Sequence, residues 1–125
     1  MSFHVERIDH VVLRVRNLDG MVRFYEQALG FRVERTIDRL KLVQMRAGAS
    51  MLDLIEHDRP KEGGNMDHLA FRIEPFDRAA IAARLEPLGA IVGEAVQRYG
   101  AEGTGPSVYF HDPEGNQIEL KGPSS

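Results

Sequence analysis

The stretch Ile8-Asp9-His10-Val11-Val12-Leu13-Arg14-Val15 returns 58 positions later as Met66-Asp67-His68-Leu69-Ala70-Phe71-Arg72-Ile73. The correspondence continues beyond the octapeptide. Leu18-Asp19 matches Phe76-Asp77 at the same offset, and Leu29-Gly30-Phe31-Arg32-Val33 matches Leu88-Gly89-Ala90-Ile91-Val92 after a slip of one residue. Each half also ends alike, since Met51-Leu52-Asp53-Leu54-Ile55 and Gln117-Ile118-Glu119-Leu120-Lys121 both set an acid between aliphatics. Two copies with a period of roughly 60 residues are too few and too long for a solenoid, so the chain is expected to be two paired supersecondary units.

Periodicity gives each unit its elements. In residues 8–15 and 66–73, Val11, Leu13 and Val15, and Leu69, Phe71 and Ile73, form apolar faces, with His10, Val12 and Arg14, and His68, Ala70 and Arg72, opposite them. Both segments read as strands with a histidine on the second face. Asp19 and Asp77 stand where N-caps belong. They are followed at helical spacing by Met21, Phe24, Tyr25 and Ala28 and by Ile81, Leu85 and Leu88, and Gly30 and Gly89 supply the stops. Further strands are expected at about 31–36, 40–46 and 50–56, and at about 90–97, 107–111 and 117–121. The unit is β-α-β-β-β written twice: a first module over 5–57, a polar Gly-rich linker at 58–65 and a second module over 66–121, within a single domain 1–125. Residues 98–106 read as a mobile loop, 112–116 as a tight turn and 122–125 as a frayed tail.

Composition removes several functions. Sixteen Lys and Arg against nineteen Asp and Glu leave a net charge of −3 with no basic run, so nothing neutralises a phosphate backbone and no nucleic-acid partner is expected. The apolar stretches are far shorter than the roughly 20 residues of a membrane span, and the N-terminus has no signal-peptide apolar segment. No membrane association is expected, and the expected location is the cytoplasm. With no Cys there are no disulfides, thiolate ligands or Cys nucleophile, so any metal must be held by nitrogen and oxygen.

If the copies pair about a pseudo-twofold axis, His10 meets His68 and Asp53 meets Glu119. A charged carboxylate in an aliphatic strand is unfavourable unless paired or bound to a cation. Two imidazoles and two carboxylates facing one point form a plausible first shell for a divalent ion, with Ni, Zn, Co, Mn or Fe(II) suited to such a set. Taken singly, each of the four also reads as an ordinary hydrogen-bonded or solvated strand residue. Asp9 and Asp67 alternate away from the histidine face and read as turn or edge residues. Arg14 and Arg72 share that face, either to meet an anionic substrate or to lie along the rim.

These segments resemble a known family. Ile8-Asp9-His10-Val11-Val12-Leu13 with Asn17-Leu18-Asp19, Phe24-Tyr25 before Leu29-Gly30-Phe31, Met66-Asp67-His68-Leu69-Ala70-Phe71, and Val108-Tyr109-Phe110-His111-Asp112-Pro113-Glu114-Gly115-Asn116-Gln117-Ile118-Glu119-Leu120 are similar to the vicinal oxygen chelate superfamily. Its members include glyoxalase I, fosfomycin-resistance and bleomycin-resistance proteins and extradiol dioxygenases. The resemblance implies an α+β fold of two βαβββ modules forming a curved mixed sheet around a metal, with helices on its outer face. It places His10, His68 and Glu119 at the ligand positions and Asp53 at a fourth, and it implies a homodimer with sites at the module junction.

The activity so implied is that of a metal-dependent, glyoxalase-like lyase or isomerase. Its small oxygenated substrate is chelated through two oxygens, with an oxyanion or enediolate intermediate and Glu119 or Asp53 moving a proton. Arg98 and Tyr99, with Gly100 to Gly105 as hinge, read either as a loop closing over a carboxylate or phosphonate or as a solvated loop. The alternatives are an Fe(II) extradiol-type dioxygenase using His10, His68 and Glu119, with His57 available on the Asp53 face and His111 reading as a turn residue, a fosfomycin-type thiol transferase, and a resistance protein that binds a drug without turnover.

Overall fold

In the computed structural model, which describes residues 7–57, 66 and 68–125, the chain divides into two units, Met1–Pro60 and Lys61–Ser125. The expected linker at 58–65 and Asp67 lie outside the described residues. The first unit runs β1 (His10–Val15), α1 (Leu18–Leu29), β2 (Arg32–Ile37), β3 (Leu42–Ala47) and β4 (Ser50–Glu56). The second runs β5 (Leu69–Arg72), α2 (Arg78–Leu85), β6 (Val96–Gly100), β7 (Gly103–His111) and β8 (Gln117–Lys121). Each forms one four-stranded mixed sheet, in the orders β1-β4-β3-β2 and β5-β8-β7-β6. The first and last strands of a unit pair in parallel and the remaining neighbours are antiparallel. A parallel pair needs a crossover, and the helix with the two strands after it provides one. The expected βαβββ unit is therefore present twice.

Strand alternation sets the two faces of the first sheet. Leu13 and Val15 of β1, Val43 and Met45 of β3 and Leu52 and Leu54 of β4 are buried, as are Met21, Phe24, Tyr25 and Ala28 on α1, which packs against β4. Covering such a set contributes roughly 1.5–3 kcal/mol per large side chain. His10, Val12 and Arg14 point the other way and are exposed. The second sheet buries Val108, Phe110, Ile118 and Leu120, and α2 buries Ile81, Ala82 and Leu85.

Several expectations shift. Asn17, not Asp19, caps α1, its side chain accepting from Gly20 N at 3.0 Å, and Asp19 lies in the first turn. Asp77 does cap α2, accepting from Ala80 N. The repeat aligned the two aspartates, but Asn17 reaches the first free N–H groups from two residues earlier. Residues 91–95 are not a strand, because Arg78 binds the carbonyls of Val92 (2.9 Å) and Gly93 (3.0 Å) and removes them from a ladder. Most consequential, 98–106 is no loop. Arg98 pairs with Gly105, Tyr99 with Thr104 and Gly100 with Gly103, so glycines that read as a hinge close a hairpin. The tail is not frayed either, since Gly122 N donates to Pro106 O and Ser125 N to Thr104 O, both at 2.8 Å. No helix among the described residues is long and apolar enough to cross a membrane.

The turn between β7 and β8 is held by Asp112, which is buried and accepts from Glu114 N (3.0 Å), Asn116 N (2.9 Å) and Asn116 Nδ2 (2.8 Å). Gly115 sits at φ 84° within it, in the left-handed region. Because the turn sets the register of β8, Asp112→Ala, which strands three donors, is expected to lower stability by about 2–3 kcal/mol in chemical denaturation.

Candidate functional site

In β8, Ile118 and Leu120 face the core, so the residue between them must face away. That residue is Glu119, flanked in register by Ala70 of β5 and Tyr109 of β7. It is nonetheless only 5% exposed. A buried carboxylate needs partners. Ser107 Oγ donates to Glu119 Oε2 at 2.6 Å, and His68 Nε2 stands 3.1 Å from Oε1. His68 lies one residue before β5, on the side that Ala70 shares by alternation. Tyr109 meets the His68 ring edge to face, with centroids 5.7 Å apart, and accepts at its hydroxyl from Arg98 Nε at 3.2 Å. The guanidinium of Arg98 also lies over the Tyr109 ring, 5.8 Å from its centroid. A continuous polar set, Ser107, Glu119, His68, Tyr109 and Arg98, thus covers one face of the second sheet.

The first unit carries the corresponding acid under different conditions. Asp53 lies between Leu52 and Leu54 and pairs in register with Val12 of β1 and Gln44 of β3. It is 4% exposed; Oδ2 accepts from Gln44 Nε2 at 3.1 Å, and Oδ1 is buried with no hydrogen-bond partner. His10, two residues before Val12, shares this face. Its Nδ1 donates to Asp9 Oδ2 at 3.0 Å. That bond raises the His10 pKa above its ordinary value against opposing desolvation, and the charges of Asp53 and Asp9 reinforce the rise.

Of the four residues selected by the repeat, His68 and Glu119 meet, whereas His10 shares a face with Asp53 and is hydrogen-bonded to Asp9. The donor chemistry fits a divalent ion: nitrogen and oxygen only, with one buried carboxylate oxygen that no donor satisfies. No group of three or more His, Asp or Glu residues is gathered as a metal cage among the described residues. Arg14 is exposed on the His10 face. Arg72 is engaged by Glu102 (2.8 Å) and Glu74 (3.1 Å), as a rim residue would be.

Arg98 and Tyr99 do not act as a pair. As neighbours in β6 they point to opposite faces; Arg98 joins the Glu119 set, whereas Tyr99 is 85% exposed away from it. Ser107 and Gln44, the direct partners of the two acids, were not identified from the sequence. The signal was present in the hairpin registers, which set Gln44 opposite Asp53 and Ser107 two residues from the partner of Glu119.

The sequence model of the family described as the Glyoxalase/Bleomycin resistance protein/Dioxygenase superfamily matches residues 7–120. The chain is 32% identical over 123 residues to the virulence protein STM3117 of Salmonella typhimurium, covering 93% of this chain and 83% of that protein. The crystal structure of that protein superimposes with a TM-score of 0.78 at 27% identity, covering 97% of this chain and 99% of the other. Similarity also extends to the metallothiol transferase FosB of Shouchella clausii, 30% identical over 119 residues, covering 93% of this chain and 80% of that one.

The His10 geometry predicts a pH effect in metal-free protein. The raised pKa means that protonated His10 contributes stability below the unfolded-state value, lost as pH rises through the folded one. Its imidazole resonances are expected to titrate above the ordinary histidine value in an NMR pH series, and Asp9→Asn to bring the midpoint down.

Proposed function

Because this chain belongs to the glyoxalase/bleomycin resistance/dioxygenase superfamily, we propose that it is a metal-dependent enzyme of glyoxalase-like lyase or isomerase type acting on a small oxygenated substrate. His10, Asp53, His68 and Glu119 are the donors offered to a divalent ion. The observation that carries this reading is Glu119, a carboxylate buried in an aliphatic strand with an imidazole 3.1 Å from one oxygen and a hydroxyl bound to the other.

A divalent ion supplies Lewis-acid stabilisation of negative charge on neighbouring substrate oxygens. The protein's own groups have distinct tasks. Ser107 fixes Glu119 Oε2, so that Oε1 is the oxygen presented beside His68. Tyr109 buttresses the His68 ring, and Arg98 holds Tyr109 in turn while keeping other N–H groups free to meet a substrate oxygen. Glu119, or Asp53 through its unsatisfied Oδ1, is the carboxylate able to take and return a proton between adjacent carbons.

Thiol transfer is a second reading, favoured by the 30% identity to the metallothiol transferase FosB. As the chain has no Cys, the thiol in that reaction is a small co-substrate. Attack by its sulfur opens a strained C–O bond and the freed oxygen takes up a proton. The homodimer implied by the resemblance belongs to either reading and is measured by analytical ultracentrifugation.

Elemental analysis after dialysis against a trace divalent metal is the direct test. Wild-type protein is expected to retain about one ion per site, His68→Ala and Glu119→Gln to lose it, and Ser107→Ala to bind it about 10–100-fold more weakly while still folding. Equal metal in wild type and His68→Ala defeats the proposal. Turnover of the methylglyoxal hemithioacetal with Ni or Zn then separates the glyoxalase reading from thiol addition to an epoxide.

A further inference from the structure

Asp9 has no task in either reaction, and strand alternation does not supply one. By alternation it belongs to the face opposite His10, and its side chain is 83% exposed, so it covers no core. Its main chain is nonetheless fixed. Met51 N donates to Asp9 O at 3.1 Å and Ser50 Oγ to Ile8 O at 3.3 Å, which ties the residues ahead of β1 to the start of β4. From that anchored base the carboxylate turns back to the neighbouring ring, where Oδ2 accepts from His10 Nδ1 at 3.0 Å.

A neutral imidazole carries a single N–H, and the nitrogen that holds it is set by the hydrogen bond it makes. A histidine without such a bond keeps its proton mainly on Nε2. An ionised Asp9 only accepts, so it selects the form with the proton on Nδ1 and the lone pair on Nε2. Nε2 is then the nitrogen that His10 offers to a cation, and the ring lies where the charge of Asp53 acts on it. Asp53 Oδ1, the buried oxygen with no hydrogen-bond partner, belongs to the same face. His68 likewise turns Nε2 to its acid, 3.1 Å from Glu119 Oε1, so with Asp9 in place both repeat-related rings act through the same atom.

We propose that Asp9 is a positioning residue for metal binding, holding the His10 ring in the orientation and tautomer that leave Nε2 free for the ion. It acts through His10 and touches neither ion nor substrate. The inference rests on the reading of His10 as a donor to a divalent ion, and it adds the outer carboxylate that such a donor requires. A ligating histidine almost always gives its second N–H to a carboxylate, a carbonyl or water, which orients the ring and makes it more basic, and loss of that partner weakens metal binding by about 10–100-fold. Ser107 orients Glu119 in the second unit, and Asp9 does the same for His10 in the first.

The test begins with metal-free, isotopically labelled full-length protein at a pH where His10 is neutral, and reads the tautomer from long-range proton–nitrogen correlations of the imidazole. Wild type is expected to carry the His10 proton on Nδ1. Asp9→Ala is expected to move it to Nε2, whereas Asp9→Asn, whose amide oxygen still accepts a hydrogen bond, retains the wild-type form in large part. Titration with Zn or Ni is then expected to show binding about tenfold weaker or more in Asp9→Ala, with a smaller loss in Asp9→Asn. Neither variant removes packing, since Asp9 covers no core, and unmoved His68 resonances report that the fold is intact. A wild-type His10 with its proton on Nε2, or an Asp9→Ala protein that matches wild type in either its His10 spectrum or its metal affinity, overturns the proposal. Failure of the metal reading appears elsewhere, as equal metal in wild type and His68→Ala.

Discussion

A carboxylate cannot sit buried in an aliphatic strand unless the neighbouring strands bring it donors, and the second unit is arranged around that requirement at Glu119. The parallel pairing of β5 with β8 brings His68 to one oxygen, and the antiparallel pairing of β7 with β8 brings Ser107 to the other. Tyr109, the register partner of Glu119, supports His68 from the side, and Arg98 ties β6 to Tyr109. Every strand of that sheet therefore contributes to the surroundings of one side chain. The Asp112 turn matters because a slip of one residue in β8 would send Glu119 into the core and Ile118 or Leu120 out of it.

The two units have the same topology yet satisfy their acids differently. Glu119 is fully engaged, whereas Asp53 is held by Gln44 at one oxygen and has the other buried without a donor. Asp is one methylene shorter than Glu, so it stays nearer its own strand and reaches fewer neighbours. An unsatisfied buried carboxylate oxygen is expensive in a folded protein, by about 1–3 kcal/mol or more for a charged group, and a cation is the natural remedy. The pKa of His10 is raised chiefly by its hydrogen bond to Asp9, and the charge of Asp53 adds to the rise.

The sequence made the repeat, the strand and helix types and the four repeat-related polar residues legible, because each rests on local periodicity or on identity between copies. It misplaced what depends on pairing. Residues 98–106 look like a loop to composition, since glycine and polar residues fill them, but the β6–β7 ladder turns the same glycines into a hairpin and sends Arg98 and Tyr99 to opposite faces. The tail 122–125 has no periodicity of its own and is ordered only by bonds to Pro106 and Thr104. Residues 91–95 carry strand-like apolar residues, yet Arg78 claims their carbonyls first.

By itself, then, the sequence determined that two βαβββ units would form and that a histidine and an acid would recur on the polar face of each, because side-chain alternation along a strand is a local property of the backbone. Which partners each acid would find was decided only by the tertiary structure. Ser107, Gln44 and Tyr109 acquire their roles through strand register, and register is set by hydrogen bonds between segments that no local pattern in either one specifies.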